Sequence, residues 1–200
     1  MKAGHGRGRQ LALIAVCALL TACSGADKPP STVGDACRMQ SERPEWFAAM
    51  RRTQDKWGVP VSVQLATIAR ESSFRHDARP TRKVGSGIFS RDVPLSSAYG
   101  YAQAIDGTWD DYRADTGRRG ADRDDFSDSS DFIGWYMSGA SRANGVSMGD
   151  AYNQYLAYHE GKAGYARGSY RSKAWLPGVA RDVQSWATLY QQQLDNCPVR

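Results

Sequence analysis

The spacing of apolar and polar positions divides the chain into an apolar run near its start, a polar stretch, and then a succession of helical periods. Leu11 to Leu20 is uninterrupted apolar sequence, too short to span a bilayer. Ser24 to Asp35, with Gly25, Pro29, Pro30, Ser31 and Gly34, has the composition of a flexible tether. Helical patterning begins with Glu45 to Trp57, where Gly58 suits a left-handed cap, and Pro60 suits the first turn of the next helix. In that helix Val61, Leu65, Ile68, Ala69 and Ser72 fall on one face. Arg75 to Ser97 holds Pro- and Gly-flanked patches without a long period, which predicts a loop with short strands near Gly87 to Arg91, a small β element within residues 85–97. Trp109 to Thr116 predicts a helix ending near Gly117. Asp128 or Ser129 is placed to cap another, carrying Phe132, Ile133, Trp135, Tyr136 and Ala140 and stopping at Asn144-Gly145. Tyr152 to His159 continues in helical spacing. The clearest period is the last: Val179, Val183, Trp186, Tyr190 and Leu194, after a Pro177-Gly178 start. The chain has no internal repeat, and its length suits one mainly α domain with a sizeable core.

Charge changes the picture at the N-terminus. Lys2, Arg7 and Arg9 before the apolar run give the layout of a secretory signal, residues 1–22. Leu20-Thr21-Ala22-Cys23 resembles the lipobox of bacterial lipoproteins, which implies acylation of Cys23, a lipidated tether over residues 23–36 and a folded domain over 37–200. Ser24 after that cysteine resembles the pattern of lipoproteins sent to the outer membrane, so the expected location is periplasmic, anchored to the inner face of that membrane. Several acyl chains on one cysteine would hold a domain there without a spanning helix. Losing the signal removes three of 26 basic side chains against 21 acidic ones and lowers the net charge from +5 to +2. So weak and mixed a charge argues against nucleic acid as a partner. With Cys17 in the signal and Cys23 acylated, Cys37 and Cys197 remain for a disulfide in an oxidising compartment. In the chain-entropy model such a closure stabilises by about 5 kcal/mol.

Among chemically capable residues, Glu71 stands at the edge of the apolar face drawn by Val61, Leu65 and Ile68, near the end of that helix. Partial desolvation there would raise its pKa and suit it to donate a proton. On periodicity alone, a Glu between Arg70 and Arg75 reads more readily as a surface ion pair. Motifs add to this. Glu71-Ser72-Ser73-Phe74 resembles the Glu-Ser-x-Phe motif of the soluble lytic transglycosylases and their goose-type lysozyme relatives. Tyr99-Gly100-Tyr101-Ala102-Gln103 is similar to that family's Gly-Leu-Met-Gln segment, and Ala157-Tyr158-His159-Glu160-Gly161 to its Ala-Tyr-Asn-Ala-Gly segment. The three blocks occur in the family's order, after a Trp57-Gly58-Val59-Pro60 helix start of its kind.

The resemblance implies a lysozyme-like domain with a groove for peptidoglycan glycan strands, no cofactor, and Glu71 as the single catalytic acid and base. It implies cleavage of the MurNAc-GlcNAc β-1,4 bond with formation of 1,6-anhydroMurNAc ends. Carried over residue by residue, Gln103 and the backbone around Gly100 would line the groove. Tyr158 would hydrogen-bond close to Glu71, and Ser72 would contact sugar or backbone. Tyr101-Ala102 and His159-Glu160 depart from the pattern, so Tyr101 would alter the groove wall and Glu160 would put a carboxylate where the family has none. Glu160, Asp106 or Asp110 could then activate water in an inverting hydrolase, although a Glu160 that is solvated and points away is expected. A peptidoglycan-binding lipoprotein without turnover is the non-enzymatic alternative. Gly161, Gly164 and Gly168 should leave Tyr165, Arg167, Tyr170 and Arg171 on a loop that could hold the glycan. Trp109, Trp135, Tyr136 and Trp175 read as core or as sugar platforms, with core favoured for Trp135 and Trp186. Asp122, Asp124, Asp125, Asp128 and Asp131 fail the EF-hand pattern and read as helix caps and solvated loop. His76 and His159 lack further ligands at metal spacing, so no metal is expected.

Overall fold

The computed structural model describes residues 28–197 of the 200. The expected signal, Cys17 and the lipobox with Cys23 lie outside the described residues. The elements are α1 (Ala36–Glu42), α2 (Pro44–Trp57), α3 (Val61–Ser72), a hairpin of β1 (Thr81–Val84) and β2 (Arg91–Pro94), α4 (Asp106–Thr116), α5 (Phe126–Asn144), α6 (Ala151–Ala166) and α7 (Leu176–Asp195). Single 3-10 turns occupy Gly87–Phe89 and Ser169–Ser172. This is the mainly helical architecture with a small antiparallel sheet that the patterning predicts. Gly58, Gly117 and Gly145 take left-handed conformations after α2, α4 and α5, as expected of helix-ending glycines.

Helix α3 is the axis of the domain. Val63, Leu65, Ala66 and Ile68 are buried, with α7 packed along the helix and α2 and α5 also against it. Its one buried amide, Gln64, is satisfied on both sides: Nε2 donates to the carbonyls of Met50 (3.0 Å) and Val59 (2.8 Å), and Oε1 accepts from the Ser130 hydroxyl (2.8 Å). A fully paired buried polar group fixes register as well as burial. Beside α3 the aromatic core stacks Trp46 on Phe126 at 4.1 Å and 3°, with Phe74 on the other flank at 5.9 Å.

A disulfide joins Cys37 to Cys197, with Cα atoms 5.4 Å apart, and closes the described domain end to end. The described part of the expected tether is not free. Tyr190 donates to the Val33 carbonyl (2.6 Å), Gln193 to that of Gly34 (2.9 Å), and Ser31 N–H to the Glu42 carboxylate (2.9 Å), so residues from about Ser31 onward lie against α7 and α1. Proline and glycine content predicted flexibility here, and tertiary hydrogen bonds override it.

Other expectations shift in detail. Residues 85–90 form the hairpin tip, so β1 falls before the expected 85–97 range, and Arg91 opens β2, with Thr81 opposite Pro94 and Val84 opposite Arg91. The cap of α5 is Asp125, whose Oδ1 accepts from Asp128 N–H at 2.8 Å, rather than Asp128 or Ser129. Asp128 instead pairs with Arg118 and accepts from Asp122 N–H (2.8 Å). Asp131 is neither cap nor solvated loop: it is 5% exposed inside a ring of donors. Trp135 is core, but Trp186 is 38% exposed, because α7 turns that face outward over a hollow beside α3.

Candidate active site

Helix α3 ends in two consecutive non-glycine residues with positive φ, Ser73 (51°) and Phe74 (61°). Such conformations cost on the order of 1–2 kcal/mol each and persist where packing enforces them. Here the enforcing contact is Phe74, fully buried in the Trp46 stack. The turn stops the helix one residue after Ser72, which leaves Glu71 in the last turn with its carboxyl facing a cleft.

That cleft measures about 370 Å³. Glu71, Phe132, Tyr136 and Tyr158 line it together with Gln103, Ala104 and Ile105 before α4 and Thr108 in its first turn. His159, Glu160 and Gly161 of α6 complete the lining. A larger hollow of about 490 Å³ lies between α3 and α7, bordered by Val33, Arg70, Trp186 and Leu189. It excludes Glu71. The smaller cleft is the candidate site because it holds a carboxyl whose proton affinity is displaced toward neutrality.

Glu71 keeps a window onto the cleft, yet protein surrounds its carboxyl closely enough for desolvation to dominate. Its pKa rises from an ordinary 4.5 to about 7, against the opposing pull of a hydrogen bond from the Tyr155 hydroxyl and the charge of Arg70. The surface ion-pair alternative therefore does not describe this residue. Tyr155 is 4% exposed, and burial together with the Glu71 charge holds its phenol well above the usual range, so it remains a donor.

The second block builds the opposite wall through backbone geometry. Gly100 has φ 75°, and a Cβ there would stand 1.9 Å from the Arg123 carbonyl oxygen, so no side chain fits. Gln103, itself at φ 50°, donates from Nε2 to the carbonyls of Ala78 and Gly100, both at 2.8 Å. These bonds leave its Oε1 as the acceptor available at the cleft wall. Gly100 and Tyr101 do not line the cleft: Gly100 permits a close chain approach, and Tyr101 is 1% exposed, edge-on to Trp46 and Phe126. The altered Tyr101-Ala102 pair therefore modifies core packing rather than the wall.

The third block lies on α6, where Gly161 (φ 75°, ψ 157°) breaks the helical geometry. Tyr158 borders the cleft, but its hydroxyl donates to the Ala102 carbonyl (2.6 Å) and so couples α6 to the second block. The hydroxyl that draws the Glu71 proton affinity down is that of Tyr155, one turn earlier. Sequence reasoning missed Tyr155, although its i−3 spacing from Tyr158 puts both residues on one face of α6. Ser72 donates to the Ile68 carbonyl (3.1 Å), the backbone alternative for that residue.

Glu160 does not point into solvent. Its side chain is 3% exposed, with Oε1 2.6 Å from Lys173 Nζ and 2.9 Å from His159 Nδ1, and Oε2 accepting from Ser169. The Lys173 and Ser169 bonds hold its pKa down to about 2. Asp106 pairs with Arg123 (2.8 Å) and Asp110 with Arg113 (3.6 Å), and neither lines the cleft. Tyr165 is also away from it: the helix continues through Gly164, the Tyr165 hydroxyl donates to Asn153 (2.9 Å), and its ring stacks on Tyr170 at 5.6 Å. Among the described residues, no group of three or more His, Cys, Asp or Glu is arranged to hold a metal ion.

A half-buried glutamate at the end of a core helix lines one cleft with Gln103 of the second block and Tyr158 to Gly161 of the third. Residues 11–197 match the family model of the Transglycosylase SLT domain. The chain belongs to this family. A comparison with curated proteins gave no match. Membership makes peptidoglycan the substrate class of this transglycosylase domain, and the cleft beside Glu71 is where its three motif blocks converge.

Proposed function

We propose that this transglycosylase cuts the MurNAc-GlcNAc β-1,4 bond of peptidoglycan with Glu71 as its only acid and base. The observation that carries the reading is the contrast between the two carboxyls of the cleft. Glu71 has a pKa of about 7 and can arrive protonated, whereas Glu160 is held near 2 by donors on both oxygens. A carboxylate so fully engaged is a poor base for water. Glu71 gives its proton to the glycosidic oxygen as the C1–O bond breaks, and the acetamido oxygen of the muramyl sugar closes on C1. The Glu71 carboxylate then takes the proton of the sugar's 6-hydroxyl while O6 displaces the acetamido oxygen. Glu71 ends protonated again, water is not consumed, and the product carries a 1,6-anhydro end.

Mass spectrometry of fragments released from purified sacculi tests this: anhydro-muramyl ends are expected. Reducing muramyl ends would replace the reading with hydrolysis, and sacculus binding without release would favour the non-catalytic binder. For location we propose a periplasmic lipoprotein acylated on Cys23 and held at the outer membrane. Radiolabelled palmitate should enter the chain and be absent from Cys23→Ser; equal labelling of both would refute acylation there.

A further inference from the structure

The cleft has a lip that the reaction above does not use. Trp175 is 55% exposed, the most solvent-open tryptophan of the described residues, although it stands beside fully buried Leu176 at the start of α7. Its ring lies 5.1 Å from that of His159, nearly perpendicular at 80°, and His159 borders the cleft.

Two residues before Trp175, the chain is fastened. Glu160, just before the Gly161 break in α6, takes Lys173 on one oxygen and the Ser169 hydroxyl on the other, and the Ser169 oxygen also lies 3.0 Å from the Gly164 carbonyl. On the far side, Leu176 N–H donates to the Lys173 carbonyl at 2.9 Å. Trp175 is thus a flat apolar surface fixed between two anchors and open to solvent. Exposing such a ring forgoes its burial, and a rigid exposed aromatic beside a binding cleft loses little entropy when a ligand covers it.

The clamp also defines the neighbouring imidazole. The Glu160 carboxylate only accepts, so Nδ1 of His159 carries the hydrogen at 2.9 Å. In the neutral ring, Nε2 is then an acceptor suited to the N–H of an acetamido group or to a sugar hydroxyl.

We propose that Trp175 and His159 form a sugar-stacking subsite at this lip of the cleft, specific for an N-acetylated amino sugar, and that Glu160 is the positioning residue that holds it. The inference rests on the glycan-strand reading above and assigns the His159-Glu160 pair, the departure from the family pattern, a binding role.

The test uses the full chain carrying Glu71→Gln, titrated with uncrosslinked glycan strands and followed by tryptophan fluorescence and by calorimetry. Trp175→Ala in that background should weaken binding about tenfold, while Trp175→Phe keeps the affinity and loses most of the fluorescence change. Glu160→Gln should weaken binding too, and should add less to Trp175→Ala than to the parent, because it acts through the same lip. With Glu71 intact, Trp175→Ala should raise KM about tenfold and leave kcat within about twofold, the signature of lost uniform binding. Affinity within about twofold of the parent for Trp175→Ala would overturn the subsite. The two readings fail separately. A wild-type chain that cleaves no glycan, yet binds strands through Trp175, would remove the transglycosylase reading and support the subsite. Cleavage with an unchanged KM in Trp175→Ala would do the reverse.

Discussion

Replacing Glu71 with glutamine is expected to abolish glycan cleavage and to stabilise the folded domain at pH 8. On the mechanism proposed above, the first effect follows from losing the group that gives a proton to the leaving oxygen and takes one from the 6-hydroxyl, a loss of about 10³-fold or more in kcat. The second follows from the same burial. Between the ordinary value of 4.5 and about 7, the folded chain holds a proton on Glu71 that the unfolded chain has released. Stability therefore falls as pH rises through that window and is lowest above it. A shift of that size is worth at most about 3 kcal/mol, less where the cleft admits water. Glutamine keeps the shape without the charge, so the variant should melt higher than wild type at pH 8, with the advantage gone at pH 4. In the wild type, kcat/KM should decline above pH 7 as the acid form disappears. Equal melting temperatures at pH 8, or a pH profile flat to pH 9, would mean that Glu71 is not held protonated.

Glu71 was legible in the sequence because two independent signals converge on it: its place at the edge of an apolar helical face and the motif it opens. Helix α7 was legible because a single long period runs uninterrupted from Val179 to Leu194. The donor to Glu71 was not. Tyr155 and Tyr158 are the same residue type one turn apart, and which hydroxyl comes to Glu71 depends on how α6 is seated against α5 and α7, a tertiary quantity with no local trace. Glu160 misled for a related reason. A Glu beside a glycine is normally solvated, and only Lys173 and Ser169, supplied from a turn 9 to 13 residues later, explain its burial. Among the aspartates from Asp122 to Asp131, residue type alone could not separate the cap at Asp125 from the buried member at Asp131.

That buried aspartate gives the second large effect: Asp131→Ala is expected to destabilise the domain by about 3–5 kcal/mol, the usual result of removing one partner of a buried ionic network. Asp131 on α5 accepts from Trp57 Nε1 (2.7 Å), the Tyr112 hydroxyl (2.8 Å) and Lys56 Nζ (3.0 and 3.1 Å), with Arg118 at 3.5 Å. It thereby joins the end of α2, the middle of α4 and the loop after α4 to one carboxylate. Alanine would leave the fully buried Tyr112 hydroxyl and the indole N–H without that acceptor, while half-exposed Lys56 could turn to water. For a domain of this size the melting temperature should drop by about 10 °C. The pH dependence has the opposite sign to that of Glu71. Burial alone would raise the Asp131 pKa, but Trp57, Lys56 and Tyr112 outweigh it and the net shift is downward. Its contribution is therefore present above the unfolded value and is lost as pH falls through the folded one. The gap between wild type and Asp131→Asn should be widest at neutral pH and should shrink below about pH 4. A gap that stays constant from pH 7 to pH 3 would show that the donors recognise the shape of Asp131 rather than its charge. Glu71 and Asp131 are both carboxyls on core helices. Burial pushes both proton affinities up; it prevails at Glu71, whereas at Asp131 the donors outweigh it and the carboxylate joins α2, α4 and α5.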